Sequence, residues 1–243
     1  MAKEIIYGIR AVMEAIQGGR DIERVLISEN LKGNLAKELQ DLISEKDITF
    51  KKVKPERIDW ATKNNHQGVV AYLPPVEYHN IEKVVEDLLE QGKEPFVLIL
   101  DGITDVRNFG AIARTAECAG VDAIVLPEKG SVSVTSDAIK TSAGALFRVP
   151  VCREKNLYYV LRHLKDRNFT IAAASEKGDI DYRKADYKGA VALIMGAEDK
   201  GVSGQLLKLA DAHVSIPIHG EIGSLNVSVA AGVLIYEVLR HRD

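Results

Sequence analysis

Cysteine is scarce. Cys118 and Cys152 are the only two in 243 residues, too few for a disulfide framework. Six histidines (His66, His79, His163, His213, His219 and His241) show no metal-ligand spacing with each other or with the cysteines, so no structural metal is expected. No apolar run reaches the length of a membrane span, and Met1 to Arg10 lacks a signal-type apolar core. A reduced, soluble, cytoplasmic protein is expected. Three phosphate and nucleophile signatures are also missing: G-x-G-x-x-G, G-x-x-x-x-G-K-S/T and G-x-S-x-G. Their absence argues against a dinucleotide oxidoreductase, a P-loop NTPase and serine acyl transfer. Excess charge is small as well, 32 basic against 35 acidic residues for a net charge of -3. A basic module that coats any polyanion is excluded, whereas a local cationic cleft is not.

What is present is an alternation of apolar runs and amphipathic stretches, the pattern of an α/β chain. Residues 1–75 form a small α/β module. Its strands are expected at Arg24–Ile27, Thr49–Val53 and Gly68–Leu73, its helix at Asn34–Glu45, and Pro74 and Pro75 end it. Residues 76–94 read as a linker and connecting helix, with Ile81, Val84, Val85, Leu88 and Leu89 at helical spacing. Residues 95–243 are more apolar. Strands are expected at Phe96–Leu100, Ala123–Leu126, Phe147–Val151, Thr170–Ala174, Ala190–Met195 and His213–Ile218. Helices are expected at Phe109–Ala119, Leu157–Lys165, Ser203–Leu209 and Asn226–Arg240. The implied fold class is α/β, a mostly parallel sheet with helices on both faces.

Ligands of open α/β sheets gather beyond the carboxyl ends of the strands, and three such ends are unusual here. After Leu100 a polar loop enters a helix of small residues. Asn108 is placed to cap that helix or to contact a phosphate or ribose. Arg114, six residues on, either reaches back toward an anion or extends into solvent. After Met195, Gly196 permits a sharp turn or close approach of a ligand. Glu198 can accept a ligand hydrogen bond or orient an arginine, and Ser203 reads as the next cap. After Ile218, two glycines bracket a polar loop that leads into the most apolar helix. Ser224, Asn226 and Ser228 surround its start, more polar groups than one cap uses. In the first module Lys51, Lys52, Lys54 and Arg57 are interleaved with Phe50 and Trp60. That mixture suits either a solvated face or contact with RNA phosphates and bases.

Taken in order, these segments resemble the three motifs of the SpoU-type (TrmH-like) RNA ribose 2'-O-methyltransferases of the SPOUT superfamily. Asp105-Val106-Arg107-Asn108-Phe109-Gly110 with Arg114 is similar to the first motif, and Met195-Gly196-Ala197-Glu198-x-x-Gly201 to the second. Ile216-Pro217-Ile218 followed by Gly223-Ser224-Leu225-Asn226-Val227-Ser228 is similar to the third. Ser142-Ala143-Gly144-Ala145 matches a further family segment, and Val106 replaces the usual proline. Ile6-Tyr7-Gly8-Ile9-Arg10-Ala11-Val12 and His66-Gln67-Gly68-Val69-Val70-Ala71 resemble the RlmB-like subgroup.

The resemblance implies an L7Ae/L30e-like RNA-binding domain over 1–75 and a methyltransferase domain with a deep trefoil knot over 95–243. It also implies a homodimer built partly on the last helix. The implied reaction is S-adenosylmethionine-dependent methylation of a guanosine ribose in large-subunit (23S) ribosomal RNA. A transfer-RNA methyltransferase and a non-catalytic RNA-binding or ribosome-assembly protein are the alternatives. The implied catalytic set is Arg114, Asn108, Glu198, Asn226 and Ser224. The cofactor set is Gly196, Ile216, Leu225, Met195, Ile218 and Ser142, and the RNA set is Arg10, Lys51, Lys52, Lys54 and His66.

Overall fold

The computed structural model describes residues 4–242, divided into two compact units, Met1–Pro75 and Val76–Asp243. The first runs β1 (Ile5–Tyr7), α1 (Ile9–Gln17), β2 (Arg24–Ser28), α2 (Asn34–Glu45), β3 (Phe50–Val53), α3 (Pro55–Ala61) and β4 (Val69–Tyr72). Its sheet has the order β1-β4-β2-β3, which leaves β3 at an edge. One sheet face packs Val25, Ile27, Val69 and Ala71 against Ile9, Val12 and Ile16 of α1 and Leu39 and Ile43 of α2. The other packs Leu26, Val53 and Val70 against Ile58 of α3. Side chains alternate across each strand, so one run of residues serves both cores.

The second unit runs β5 (Tyr78–His79), α4 (Ile81–Glu90), β6 (Phe96–Asp101), α5 (Val106–Cys118), β7 (Ala123–Pro127), α6 (Ser136–Thr141) and β8 (Val151–Glu154). It continues with α7 (Leu157–Lys165), β9 (Thr170–Ala174), β10 (Ile180–Asp181), β11 (Val191–Gly196), α8 (Gly204–Leu207), β12 (Ala212–Ser215) and α9 (Val227–Arg240). The strands form one sheet in the order β10-β12-β9-β11-β6-β7-β8-β5, and every neighbouring pair is parallel. Helices α5, α6 and α9 contribute to the core on one face, and α4, α7 and α8 to that on the other. Phe96 to Leu100 is buried throughout because it contributes to both. Among the described residues no helix is long and apolar enough to cross a membrane.

Several local expectations change. The segment 76–94 is no free linker: β5 joins the large sheet and α4 packs on it. Phe147–Val151 is not a strand. A 3-10 turn occupies Ala145–Phe147, and β8 begins at Val151, after Pro150. The strand expected over His213–Ile218 stops at Ser215, two residues before Pro217, which has no N–H to donate.

Cys118 is exposed and Cys152 is buried. Burial, with the Glu154 charge adding to it, pushes the Cys152 thiol up to about 12. That thiol stays protonated and is no nucleophile.

Candidate active site

Successive strands lie on one side of β6 as far as β8, and β9 then appears on the other, beyond β11. The carboxyl ends of β6 and β11, paired through Met195↔Leu100 and Gly196↔Asp101, are therefore the topological switch point, where such sheets bind ligands. A cleft of about 430 Å³ opens there, lined by the loop from Gly102 to Asp105, by Asn108 and Gly130, by Ala197 to Lys200 and by Val227.

Asp105, not Asn108, caps α5. Its Oδ1 accepts the N–H groups of Arg107 and Asn108, both at 2.8 Å. The helix thus starts three residues earlier than expected and carries Asn108 in its first turn, with its amide free for other work. Gly110 lets α5 approach α6, since a Cβ there would lie 2.6 Å from Thr141 Cβ.

The turn after β11 is made by Gly196 and Gly201. A Cβ on Gly196 would sit 2.0 Å from the Gly201 carbonyl carbon, so this glycine is filled by the chain's own backbone rather than by a ligand. Ala197 and Gly201 form a β-bridge closed by Gly201 N–H donating to the Ala197 carbonyl at 2.8 Å. Asp101 Oδ2 accepts the Ser203 N–H at 2.7 Å, tying the loop's exit to the end of β6.

Three side chains from the three loops then meet. Glu198 Oε1 accepts from Asn108 Nδ2 at 2.9 Å and from Asn226 Nδ2 at 2.9 Å. The second N–H of Asn226 Nδ2 donates to Asn108 Oδ1 at 3.0 Å. Asn226 Oδ1 accepts the Ser228 N–H at 3.0 Å and so caps α9. A carboxylate only accepts, which fixes the orientation of both amides. Glu198 and Asn226 are exposed and Asn108 half-buried, so the ring of bonds is open to a ligand. Glu198 Oε2 receives no hydrogen bond from the described residues, leaving a charged acceptor at the cleft.

The other expected residues lie elsewhere. Arg114 makes no hydrogen bond or ion pair with the described residues and is exposed. At 3.6 residues per turn it lies about 120° round α5 from Asn108, so Glu198 orients the two asparagines rather than this arginine. Met195 is buried in the core. Ser142 is fully buried, and its hydroxyl donates to the Ile139 carbonyl at 2.9 Å; it offers nothing to the cleft. Ser203 stands at the start of α8 without a side-chain cap bond.

Ile218 and Leu225 are exposed in the segment between β12 and α9, with Ile222 between them. The backbone N–H groups of residues 218–225 make no hydrogen bond within the described residues. This loop therefore offers apolar surface together with free amide donors, the mixture typical of a small-molecule site. Residues that line the cleft but were missed by sequence reasoning are Asp105 and Lys200, together with Thr104 and Asp199. Only Asp105 had a local signal, as an alternative cap. Among the described residues no cluster of three His, Cys, Asp or Glu is placed to hold a metal ion.

In the first unit Arg10 is exposed on α1, Lys51 and Lys52 on β3, and Lys54 just before α3. His66 is occupied internally. Its Nδ1 accepts the Gly68 N–H at 3.0 Å, and its Nε2 lies 2.8 Å from Asp59 Oδ1.

Residues 95–236 match the SpoU rRNA Methylase family, and residues 5–79 match the RNA 2'-O ribose methyltransferase substrate binding family. A Staphylococcus saprophyticus protein assigned to the TrmH family of tRNA/rRNA methyltransferases is 36% identical, covering 100% of this chain and 98% of its own. The solved SpoU methyltransferase AviRb of Streptomyces viridochromogenes, in complex with AdoMet, superposes with a TM-score of 0.63 at 22% identity. That match covers 99% of this chain and 91% of AviRb. The A. aeolicus TrmH/SpoU tRNA modifying enzyme gives a TM-score of 0.55 at 30% identity, over 66% of this chain and 83% of that one. The chain belongs to the SpoU (TrmH-type) family and is an S-adenosylmethionine-dependent RNA ribose 2'-O-methyltransferase.

Proposed function

We propose that this enzyme methylates the ribose 2'-hydroxyl of a guanosine in large-subunit (23S) ribosomal RNA, in the cytoplasm, as a homodimer of the RlmB-like subgroup. The observation that carries the reading is the Asn108–Glu198–Asn226 ring at the switch-point cleft. The first unit serves as the RNA-binding domain, of the L7Ae/L30e type, and residues 95–243 as the knotted methyltransferase domain. In support of the knot, β12 lies two strands from β11, yet Asn226 at the start of α9 bonds to Glu198 beyond the β11 end. The segment 216–226 must cross the carboxyl edge of the sheet to do so.

S-adenosylmethionine supplies the methyl group from its sulfonium centre. Ile216, Ile218 and Leu225, with the free amides of 218–225, would hold its adenosyl part, while Gly196 shapes the neighbouring turn by packing on Gly201. Asn108 and Asn226 position the ribose, and their amides need no reorganisation because Glu198 has already set them. Ser224, exposed in the same 218–225 loop, offers its hydroxyl to the ribose. Arg114, exposed and about 120° round α5 from Asn108, has only donors to offer and binds a phosphate of the RNA beside the reacting ribose. Arg114→Ala is expected to lower kcat/KM about ten- to hundredfold, the worth of a hydrogen bond to a charged group. Single-turnover methyl transfer measures it, and an unchanged rate removes Arg114 from the mechanism.

The homodimer reading rests on α9. Val229, Val233 and Tyr236 fall at i, i+4 and i+7, and Val229 and Tyr236 are 53% and 51% exposed. An apolar stripe of this kind calls for a partner. Tyr236→Asp is expected to weaken self-association at least about thirtyfold, read by sedimentation equilibrium.

A transfer-RNA substrate is the second reading, favoured by the 30% identity to the A. aeolicus tRNA modifying enzyme. Incorporation of labelled methyl groups into purified ribosomal and transfer RNA, followed by mapping of the modified nucleotide, separates the two. Labelling of neither defeats the proposal.

A further inference from the structure

Trp60 is the chain's only tryptophan and, among the described residues, its most exposed large apolar side chain, at 88%. It is not on a loose loop. Ile58 buries one side of α3 against the sheet, and the next residue, Asp59, is held 2.8 Å from His66 Nε2. His66 Nδ1 also accepts the Gly68 N–H at 3.0 Å, so the ring is held at both nitrogens. The connection from α3 to β4 is thereby pinned, and the indole is presented on a fixed mount.

The segment around it is cationic in balance, with Glu56 the one acid that shares its side of α3. Arg57 precedes Trp60 by three residues and shares its side of the helix. Lys63 lies two residues beyond the end of α3, after the chain turns extended at Thr62. Lys51 alternates with Lys52 on the edge strand β3 and so falls on the same sheet face as Val53, the face that α3 covers. On that face the Arg24 guanidinium also lies over the Tyr72 ring, 4.7 Å from its centroid. Residues 51–63 carry five Lys and Arg against two acids, in a chain whose net charge is -3. A second protein would call for further apolar side chains around the indole. An exposed aromatic in a segment rich in cations suits a polyanion with unstacked bases.

We infer that Trp60 is a platform on which an unpaired base of the substrate RNA stacks, with Lys51, Arg57 and Lys63 taking the adjoining phosphates. The inference rests on the RNA-methylating reading above and adds to it a residue outside all three motifs. The test is a titration of the full chain with purified 23S ribosomal RNA and with transfer RNA, following tryptophan emission and, separately, retention of labelled RNA on a filter. The RNA that accepts methyl groups is expected to quench the emission saturably. Trp60→Ala should weaken its binding about tenfold or more, and Trp60→Phe should restore most of the loss. An exposed position makes unfolding a poor explanation, and circular dichroism checks it. RNA that binds and is methylated with emission and affinity unchanged overturns the stacking inference and leaves the proposed function standing. A change of oligomeric state in Trp60→Ala overturns it too, since the indole would then belong to a contact between copies. Failure of both RNAs to bind or be methylated defeats both.

Discussion

Glu198→Ala is expected to lower methyl transfer about a hundredfold while leaving a folded chain. Glu198 Oε1 is the shared acceptor for two amide groups; without it the Asn108 Nδ2 donor is unheld, and the pair keeps only the Asn226–Asn108 bond and the Asn226 cap on α9. The cost is one of position, and misplacement of a reacting group by about 1 Å is worth roughly two decades in rate. Glu198 is exposed, so its removal leaves no buried orphan and costs little stability. Glu198→Gln is the informative partner variant. It keeps one acceptor oxygen while removing the charge, so recovery of most of the rate would assign Glu198 the task of holding Asn108 and Asn226. Single-turnover rates for both variants, with thermal unfolding alongside, decide it. Full activity in Glu198→Ala would separate the ring of bonds from the chemistry.

The second large effect is on the fold itself. Gly196→Ala places a methyl group 2.0 Å from Gly201 C, 2.1 Å from Val202 N and 2.4 Å from Gly201 O, all backbone atoms. Backbone cannot rotate aside as a side-chain tip can. The Ala197–Gly201 bridge and the Ser203 N–H to Asp101 bond must therefore give way. A loss of about 3 kcal/mol or more in unfolding free energy is expected, and with it the activity. Gly204→Ala is the control, because nothing lies within 4 Å of a Cβ there; a small change is expected. Denaturant titration of the two variants reads the difference. Equal stability would mean the loop has another course open to it.

Some of this architecture is legible residue by residue. The run Phe96 to Leu100 is uniformly apolar because both faces of β6 are covered, and α2 begins and ends where the spacing of Leu35, Leu39 and Ile43 puts it. Other features depend on partners far along the chain. Asp105 and Asn108 are both good caps, three residues apart, and local chemistry does not choose between them. The choice is settled because Asp105 satisfies two N–H groups, while the Asn108 amide is taken by Glu198 and Asn226. Two-residue strands such as β5 are too short to carry a period. The motifs pointed to one pocket, but not to which side chains bond within it. That choice places Glu198 between two asparagines and leaves Arg114 about 120° away on its helix.

The ring of Asn108, Glu198 and Asn226 also sets an order of events. Its last member lies at the start of the final helix, so during synthesis no emerging chain possesses the site until that helix has left the ribosome and docked against α5. The ring therefore cannot close before α9 has been made, whatever else of the unit has folded. Nonsense fragments that stop short of α9 have no diminished form of the reaction to fall back on.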